Sequence, residues 1–370
     1  MLILTMNNDT VPSEFSTSIV DVSTHTMAET LTTVTGGKAE SLVSNAVPAY
    51  LVFVFGVGGN IIALVVLLVT AKTHNWRPFY RYVCGLAITD GGGLLISVPV
   101  SLSMYASELQ RELSPTLCNF QMFWYMFTLM SSAMIVCGMS FDRFFATYYP
   151  FYYNKPHKKI RTNVVLLVIW VLSALISSLP FFGLGSSRKF YPGTWCFLNF
   201  IETSIESNII NSIIYASIGI IIVFATWTFN IAVIIYFVYK RYKKESTWSG
   251  WKDAHVIIFL LSVVILFTSC WFPLMVNILG HASFALPETA GKTELLLTRL
   301  SITNSIVDPW LYLVFRGEIY SAVLVCVRRI YSKRKANISE STPHTLEALS
   351  LETKNKPDTA SISSNEGCNV

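Results

Sequence analysis

Residues 295–315 read LLLTRLSITNSIVDPWLYLVF, an apolar stretch that carries Arg299 five residues in and Asp308-Pro309-Trp310-Leu311-Tyr312 near its end. A guanidinium does not deprotonate and costs about 3 kcal/mol or more at the centre of a membrane helix, so it belongs against a cavity or an anion. A ligand carboxylate is one such anion. The competing reading is an arginine near a helix end whose head reaches out to the lipid headgroups. Other residues have to separate the two.

Hydrophobic residues make up 52% of the 370-residue chain and charged residues 13%. The apolar residues fall in runs of about 20, enough to cross a bilayer core of about 30 Å. The chain therefore reads as an all-α membrane protein, a bundle over 47–315 with spans at 47–71, 79–105, 116–146, 164–182, 208–239, 254–280 and 293–315. No internal repeat is visible, which weighs against transporter folds built from duplicated halves.

Orientation follows from the lysines and arginines. Lys72, Arg77 and Arg81 follow the first span, Arg143, Lys155, Lys158, Lys159 and Arg161 the third, and Lys240, Arg241, Lys243, Lys244 and Lys252 the fifth. Those loops are expected in the cytoplasm. The intervening connections hold only Arg111, then Arg188 and Lys189, then Lys292, so the N-terminus is expected outside. This asymmetry and the basic residues near the tail account for the net charge of +5. Nucleic-acid binding needs no place in the reading.

Residues 1–46 are rich in Ser and Thr and hold one glycosylation sequon at Asn8. They lack the basic start and apolar core of a signal peptide, so none is expected to be cleaved. Past the seventh span, Phe315, Ile319, Ala322, Val323, Cys326 and Ile330 recur at helical spacing, as in a short amphipathic eighth helix over 316–331 lying on the membrane lipid. Cys326 is a candidate for palmitoylation there. Residues 332–370 are polar and read as a disordered cytoplasmic tail open to kinases.

Cys84, Cys137 and Cys270 lie within spans and read as packed small apolar residues. Cys118 and Cys196 fall on the outer side, where oxidation is permitted and a bridge would tie the loop after span four over the mouth of the bundle. From Cys118 to Arg143 is 25 residues, about 37 Å of helix, which puts the bridge just outside and Asp142-Arg143 just inside.

Asp142-Arg143-Phe144, Gly59-Asn60, Leu86-Ala87-Ile88-Thr89-Asp90, Trp170, Cys270-Trp271-Phe272-Pro273 and Asp308-Pro309-Trp310-Leu311-Tyr312 come in order across the spans, and together they resemble the rhodopsin-like G-protein-coupled receptors over roughly 47–330. The resemblance implies a seven-helix bundle in which Asp142 and Arg143 form a latch for a heterotrimeric G protein. It implies that Trp271 by the Pro273 kink, Asp308 and Tyr312 serve as activation switches, and that Asp90 marks an acidic sodium site. The plainer reading of Asp90 is a buried carboxyl bonded to Asn60 and its neighbours; that of Trp271 is an aromatic filling the bend. Receptor kinases and arrestin would meet the tail.

Where amine receptors carry an aspartate this chain has Tyr125, and where opsins carry the retinal lysine it has Ile302. The loop from Gly183 to Phe197, with Arg299 and the unusual Asp308, is similar to the prostanoid receptors, and its Gly183–Arg188 stretch most resembles the E-type receptors of the fourth subtype. Carried over, the carboxylate anchor of that family falls on Arg299, Thr194 and Tyr105, with Trp195 beside them in the loop. Arginine supplies charge in a fork while a phenol and a hydroxyl complete the carboxylate lone pairs.

The expected function is thus a receptor for a prostanoid lipid, prostaglandin E first, raising cyclic AMP through a stimulatory G protein. It needs no cofactor beyond an allosteric sodium ion, makes and breaks no bond, and sits in the plasma membrane. A receptor for another lipid carboxylate with a different G protein stays open, and so does a lipid-anion transporter. Three departures stand out: Gly91-Gly92-Gly93 after Asp90, expected to loosen that helix, Phe144 after the Asp-Arg pair, and a short loop at 240–253.

Overall fold

The computed structural model describes residues 46–107, 112–153, 156–243, 250–284 and 291–316. Asn8, residues 317–331 of the expected surface helix with Cys326, and the tail lie outside the described residues.

Long helices run over Val47–Val69, Pro78–Ala106, Pro115–Tyr148, Lys158–Ser178, Glu206–Tyr242, Gly250–Phe284 and Lys292–Arg316. They are called here the first to seventh spans. The first six are long and apolar enough to cross a membrane by length and composition. In the seventh, Arg299, Asn304, Asp308 and several hydroxyls dilute the apolar run. It is held by its neighbours instead, packing on the sixth, first and second spans.

Most helices extend past the apolar runs that reveal them, because polar end turns continue through the headgroup layer. The third span starts where Ser114 accepts a hydrogen bond from the Leu117 amide at 3.3 Å and Pro115 fills the first helical position. The second starts at Pro78 after an extended Arg77. The fourth ends earlier than its apolar run: residues Leu179–Phe182 tighten into a 3₁₀ turn around Pro180 and stop at Gly183, whose φ of +86° is left-handed. The first span widens to a π-helix over Val52–Val57.

The core lies around the third span. Met122, Met126, Met130 and Ile135 interlock with Tyr215 of the fifth span and with Phe267, Trp271, Leu274 and Met275 of the sixth. Large apolar side chains such as Leu167, Ile221 and Phe224 face outward, as a lipid environment permits. Hydrogen bonds between spans finish the packing: Trp170 Nε1 donates to Thr89 Oγ1 at 2.9 Å, and Asn230 Nδ2 to Ser140 Oγ at 2.8 Å.

Glycines set the closest approaches. A Cβ on Gly93 would lie 2.7 Å from Thr128 Cγ2 and one on Gly91 2.9 Å from Asn60 Cβ. Gly91 and Gly93 therefore seat the second span closely against the first and third, whereas a Cβ on Gly92 would meet nothing within 4 Å. Gly59 and Gly58 make a sharper contrast, for a Cβ on Gly59 would meet Trp310 Nε1 at 2.9 Å while one on Gly58 meets nothing within 4 Å. Gly59→Ala is expected to cost about 1 to 3 kcal/mol by overpacking and lower the thermal midpoint of the purified protein. Gly58→Ala should leave it unchanged or raise it, through helix propensity worth about 1 kcal/mol at most. Equal midpoints for the two variants would contradict this packing.

Candidate functional site

The loop after the fourth span folds into a hairpin of two strands, β1 (Ser187–Phe190) and β2 (Trp195–Leu198), paired antiparallel with Lys189 opposite Cys196 and Phe190 opposite Trp195. Gly193, with φ +98°, lets the turn close. The hairpin lies across one end of the bundle, against the start of the third span, with every residue of β2 buried. Cys118 and Cys196 form a disulfide with their Cα atoms 5.2 Å apart, as their positions in the sequence led one to expect.

Gln121, one turn inside Cys118 and 1% exposed, is a second staple. Its Oε1 accepts from the Cys196 amide at 2.9 Å, and its Nε2 donates to Ser101 Oγ on the second span at 3.4 Å. The lid is thereby tied to two spans by one side chain.

Beneath β2 is a cavity of about 480 Å³, partly open, whose lining includes Tyr105, Thr194, Trp195 and Arg299. Arg299 Nη2 donates to Tyr105 Oη at 3.3 Å, so the guanidinium reaches across the cavity to the second span. Thr194 and Trp195 are almost fully buried, and the Trp195 indole donates to the Tyr191 carbonyl at 2.9 Å while stacking on Phe190. The three anchor residues carried over from the resemblance, Arg299, Thr194 and Tyr105, thus line one space together with Trp195. Its walls are apolar, with Pro48, Val52, Val98 and Leu295 among them. The arrangement suits an amphipathic anion, with charge at the arginine and hydrocarbon along the wall.

Some residues were not picked out from the sequence: Ser101 and Thr298 in the lining, and Gln121, which lies outside it and holds the lid. Ser101 and Tyr105 share a helix face four residues apart, and Gln121 follows Cys118 by three, so helical spacing could have found both. Thr298 lies next to Arg299, lines the same cavity and carries a buried hydroxyl with no hydrogen-bond partner. The first span's share, through Pro48, Ala49 and Val52, has no local signal.

Deeper in the bundle, Asp90 Oδ1 accepts from Ser305 Oγ at 2.9 Å, whereas Asn60 Nδ2 donates to the Gly56 and Ser305 carbonyls at 2.8 and 3.0 Å. The expected Asp90–Asn60 bond is therefore corrected: Asn60 ties the first span to the seventh backbone, and a serine serves the carboxylate. Asp90 Oδ2 and Ser97 Oγ are buried without partners in a shared cavity of about 280 Å³. A carboxylate oxygen and an orphaned hydroxyl are the donor set a small hard cation takes, so a sodium ion fits these residues. Asp308 accepts from Asn304 Nδ2 at 2.7 Å. Trp271 is buried and stacks parallel to Phe267, and Tyr312 packs against Phe79 and Tyr80. Pro273 lies inside the sixth span, which continues as helix on both sides of it from Gly250 to Phe284.

At the far end, the Arg143 guanidinium lies 4.6 Å from the Phe79 ring centre, and Asp142 Oδ2 accepts from Tyr153 Oη at 3.0 Å. Tyr153 belongs to the short helix Pro150–Tyr153 between the third and fourth spans. Burial, with the Asp142 carboxylate beside it, pushes the Tyr153 phenol up, which keeps it a donor.

The family described as "7 transmembrane receptor (rhodopsin family)" matches residues 59–312. The human prostaglandin E2 receptor EP4 subtype is 25% identical over 332 residues, covering 78% of this chain and 67% of the relative. The mouse prostaglandin D2 receptor is 28% identical over 314 residues, with 75% and 87% covered, and the bovine prostacyclin receptor 28% over 297 residues, with 76% of each covered. The chain spans about two thirds of the length of the EP4 relatives.

If the disulfide and Gln121 hold the lid, Cys196→Ala should expose the 183–200 segment to limited proteolysis in intact cells, at least several-fold faster than in the parent protein. Gln121→Leu should do so to a smaller extent, having lost two hydrogen bonds worth about 1 kcal/mol each. Unchanged cleavage in both variants would show that the hairpin stands without its staples.

Proposed function

We propose that this chain, which belongs to the rhodopsin family of seven-transmembrane receptors, is a receptor for a lipid carboxylate of the prostanoid class, with prostaglandin E as the first candidate. The contact of Arg299 with Tyr105 beneath a buried Thr194 carries the reading. It is a cation fixed in a half-closed apolar cavity, where a bound carboxylate meets charge and hydroxyl donors while its hydrocarbon body lies against the wall. The names of the similar proteins, two of which are receptors for prostaglandins and one for prostacyclin, favour the same ligand class. Because those identities stay below 30%, another lipid acid is the second reading, and a ligand panel separates them.

On this proposal the carboxylate binds tightest to one arrangement of the spans and shifts the population toward it. The shift frees Arg143 and Asp142 from Phe79 and Tyr153 and admits a heterotrimeric G protein, the stimulatory type that raises cyclic AMP. Trp271, Asp308 and Tyr312 are the switches between the two ends. A sodium ion at Asp90 favours the resting arrangement. The N-terminus faces outward from the plasma membrane with Asn8 glycosylated, and the tail meets receptor kinases and arrestin. A lipid-anion transporter would instead accumulate labelled prostanoid inside cells.

Arg299→Ala is expected to weaken prostanoid binding by about 2 to 5 kcal/mol, thirty-fold or more, since it leaves a ligand charge unpaired. Arg299→Lys should restore binding only in part, lacking the fork. A methyl-ester ligand should lose affinity for the parent protein but much less for Arg299→Ala, as expected when both changes remove one interaction. Strictly additive losses in radioligand competition would exclude the pairing.

Arg143→Ala should leave affinity within a few fold and remove most cyclic AMP output, because the residue lies at the opposite end from the cavity. Full signalling by that variant at equal surface expression would refute the latch.

A further inference from the structure

A cleft of about 890 Å³, partly open, lies between the second and fourth spans on the end of the bundle that holds Asp142 and Arg143, apart from the ligand cavity. Trp76, Arg81 and Asn163 line its mouth and Trp170 its far end, with Cys84, Ile88 and Leu166 between them. Ile88 is half exposed on the outer face of the second span. The floor is Gly85, where a Cβ would lie 2.8 Å from Leu166 Cδ2. Arg81 is nine residues from the mid-span Asp90, about 13 Å along the helix, which sets the mouth near the headgroup layer and the rest in hydrocarbon.

The mouth is cationic and built. Arg81 Nε donates to the Trp76 carbonyl at 2.9 Å and Nη1 to Asn163 Oδ1 at 2.6 Å. Both acceptors are neutral, so among the described residues the charge has no carboxylate against it. Lys159 Nζ donates to Asn75 Oδ1 at 3.0 Å, placing a second cation beside the same turn. Trp76 holds a left-handed φ of +47°, as does Asn75 at +49°, a conformation that bulky residues rarely adopt. It persists because His74 fixes it: the Trp76 amide donates to His74 Nδ1 at 3.0 Å, and His74 Nε2 is bonded to the Leu67 carbonyl at 2.9 Å. At the far end the Trp170 indole is spent on Thr89, leaving its ring as an apolar wall.

We propose that this cleft binds one anionic phospholipid, its phosphate on Arg81 and an acyl chain laid along Cys84, Ile88 and Leu166 to Trp170. Charge complementarity chooses the occupant. A sterol hydroxyl would leave the guanidinium without an anion, whereas a phosphate accepts from its fork. With the sidedness proposed above, the adjoining leaflet is the one rich in anionic lipid. Nanodiscs that carry the lipid in both leaflets make the test independent of that sidedness.

The experiment reads maleimide labelling of Cys84, located by peptide mass spectrometry, in full-length protein in nanodiscs of phosphatidylcholine alone, with phosphatidylserine, or with cholesterol. Phosphatidylserine should slow Cys84 labelling at least three-fold and saturably, and native mass spectrometry should find one retained anionic lipid. Arg81→Gln should abolish the slowing. Ile88→Trp, which fills the cleft from an outward position and keeps Arg81, should abolish lipid retention as well, so the outcome does not hang on one variant. Labelling insensitive to phosphatidylserine, or slowed equally by cholesterol in the parent and in Arg81→Gln, would overturn the proposal, the second result marking a sterol groove instead.

Discussion

In hydrocarbon no water is available to satisfy a buried polar group, so each must find its partner inside the protein. That constraint organises this bundle more than apolar attraction does, since lipid is as apolar as a leucine side chain. It turns the hydroxyls and amides of the spans inward: Asn60 to the carbonyls of Gly56 and Ser305, Trp170 to Thr89, Asn230 to Ser140. The seventh span depends on it most. Arg299, Asn304 and Asp308 all have partners among their neighbours, and without them the segment would be too polar to span.

The same constraint bears on the end of the bundle that carries the hairpin. There the Arg299 guanidinium donates to the Tyr105 phenol at 3.3 Å inside a partly open cavity beneath β2. The hairpin over this space is held covalently at Cys196 and by Gln121, so on the proposed reading its own Thr194 is positioned before a ligand arrives. Such pre-organisation lowers the ordering cost of binding.

Between the ends runs a chain of side chains with unused capacity. Thr298, Asp90, Ser97 and Trp271 each hold a buried polar atom with no hydrogen-bond partner. Orphans of this kind cost stability in a static protein.

Sequence by itself determined the membrane class, the number and order of the spans and the two cysteines of the bridge, since apolar run length and local motifs survive in one dimension. Family membership was legible for the same reason: it rests on short motifs in order. What only the tertiary structure decided is which groups meet. The pairing of Arg299 with Tyr105 joins residues 194 positions apart. Asn60's choice of the Ser305 carbonyl over Asp90 depends on how the first and seventh spans are rotated about their axes. Helical periodicity specifies a face, but not which neighbour it turns toward. The hairpin over the mouth was hidden too, because strands of four residues carry little alternating pattern and form here by being pinned to the third span. The close seating at Gly91 and Gly93 was not legible from propensity, since a missing side chain weakens an isolated helix yet lets two packed ones approach.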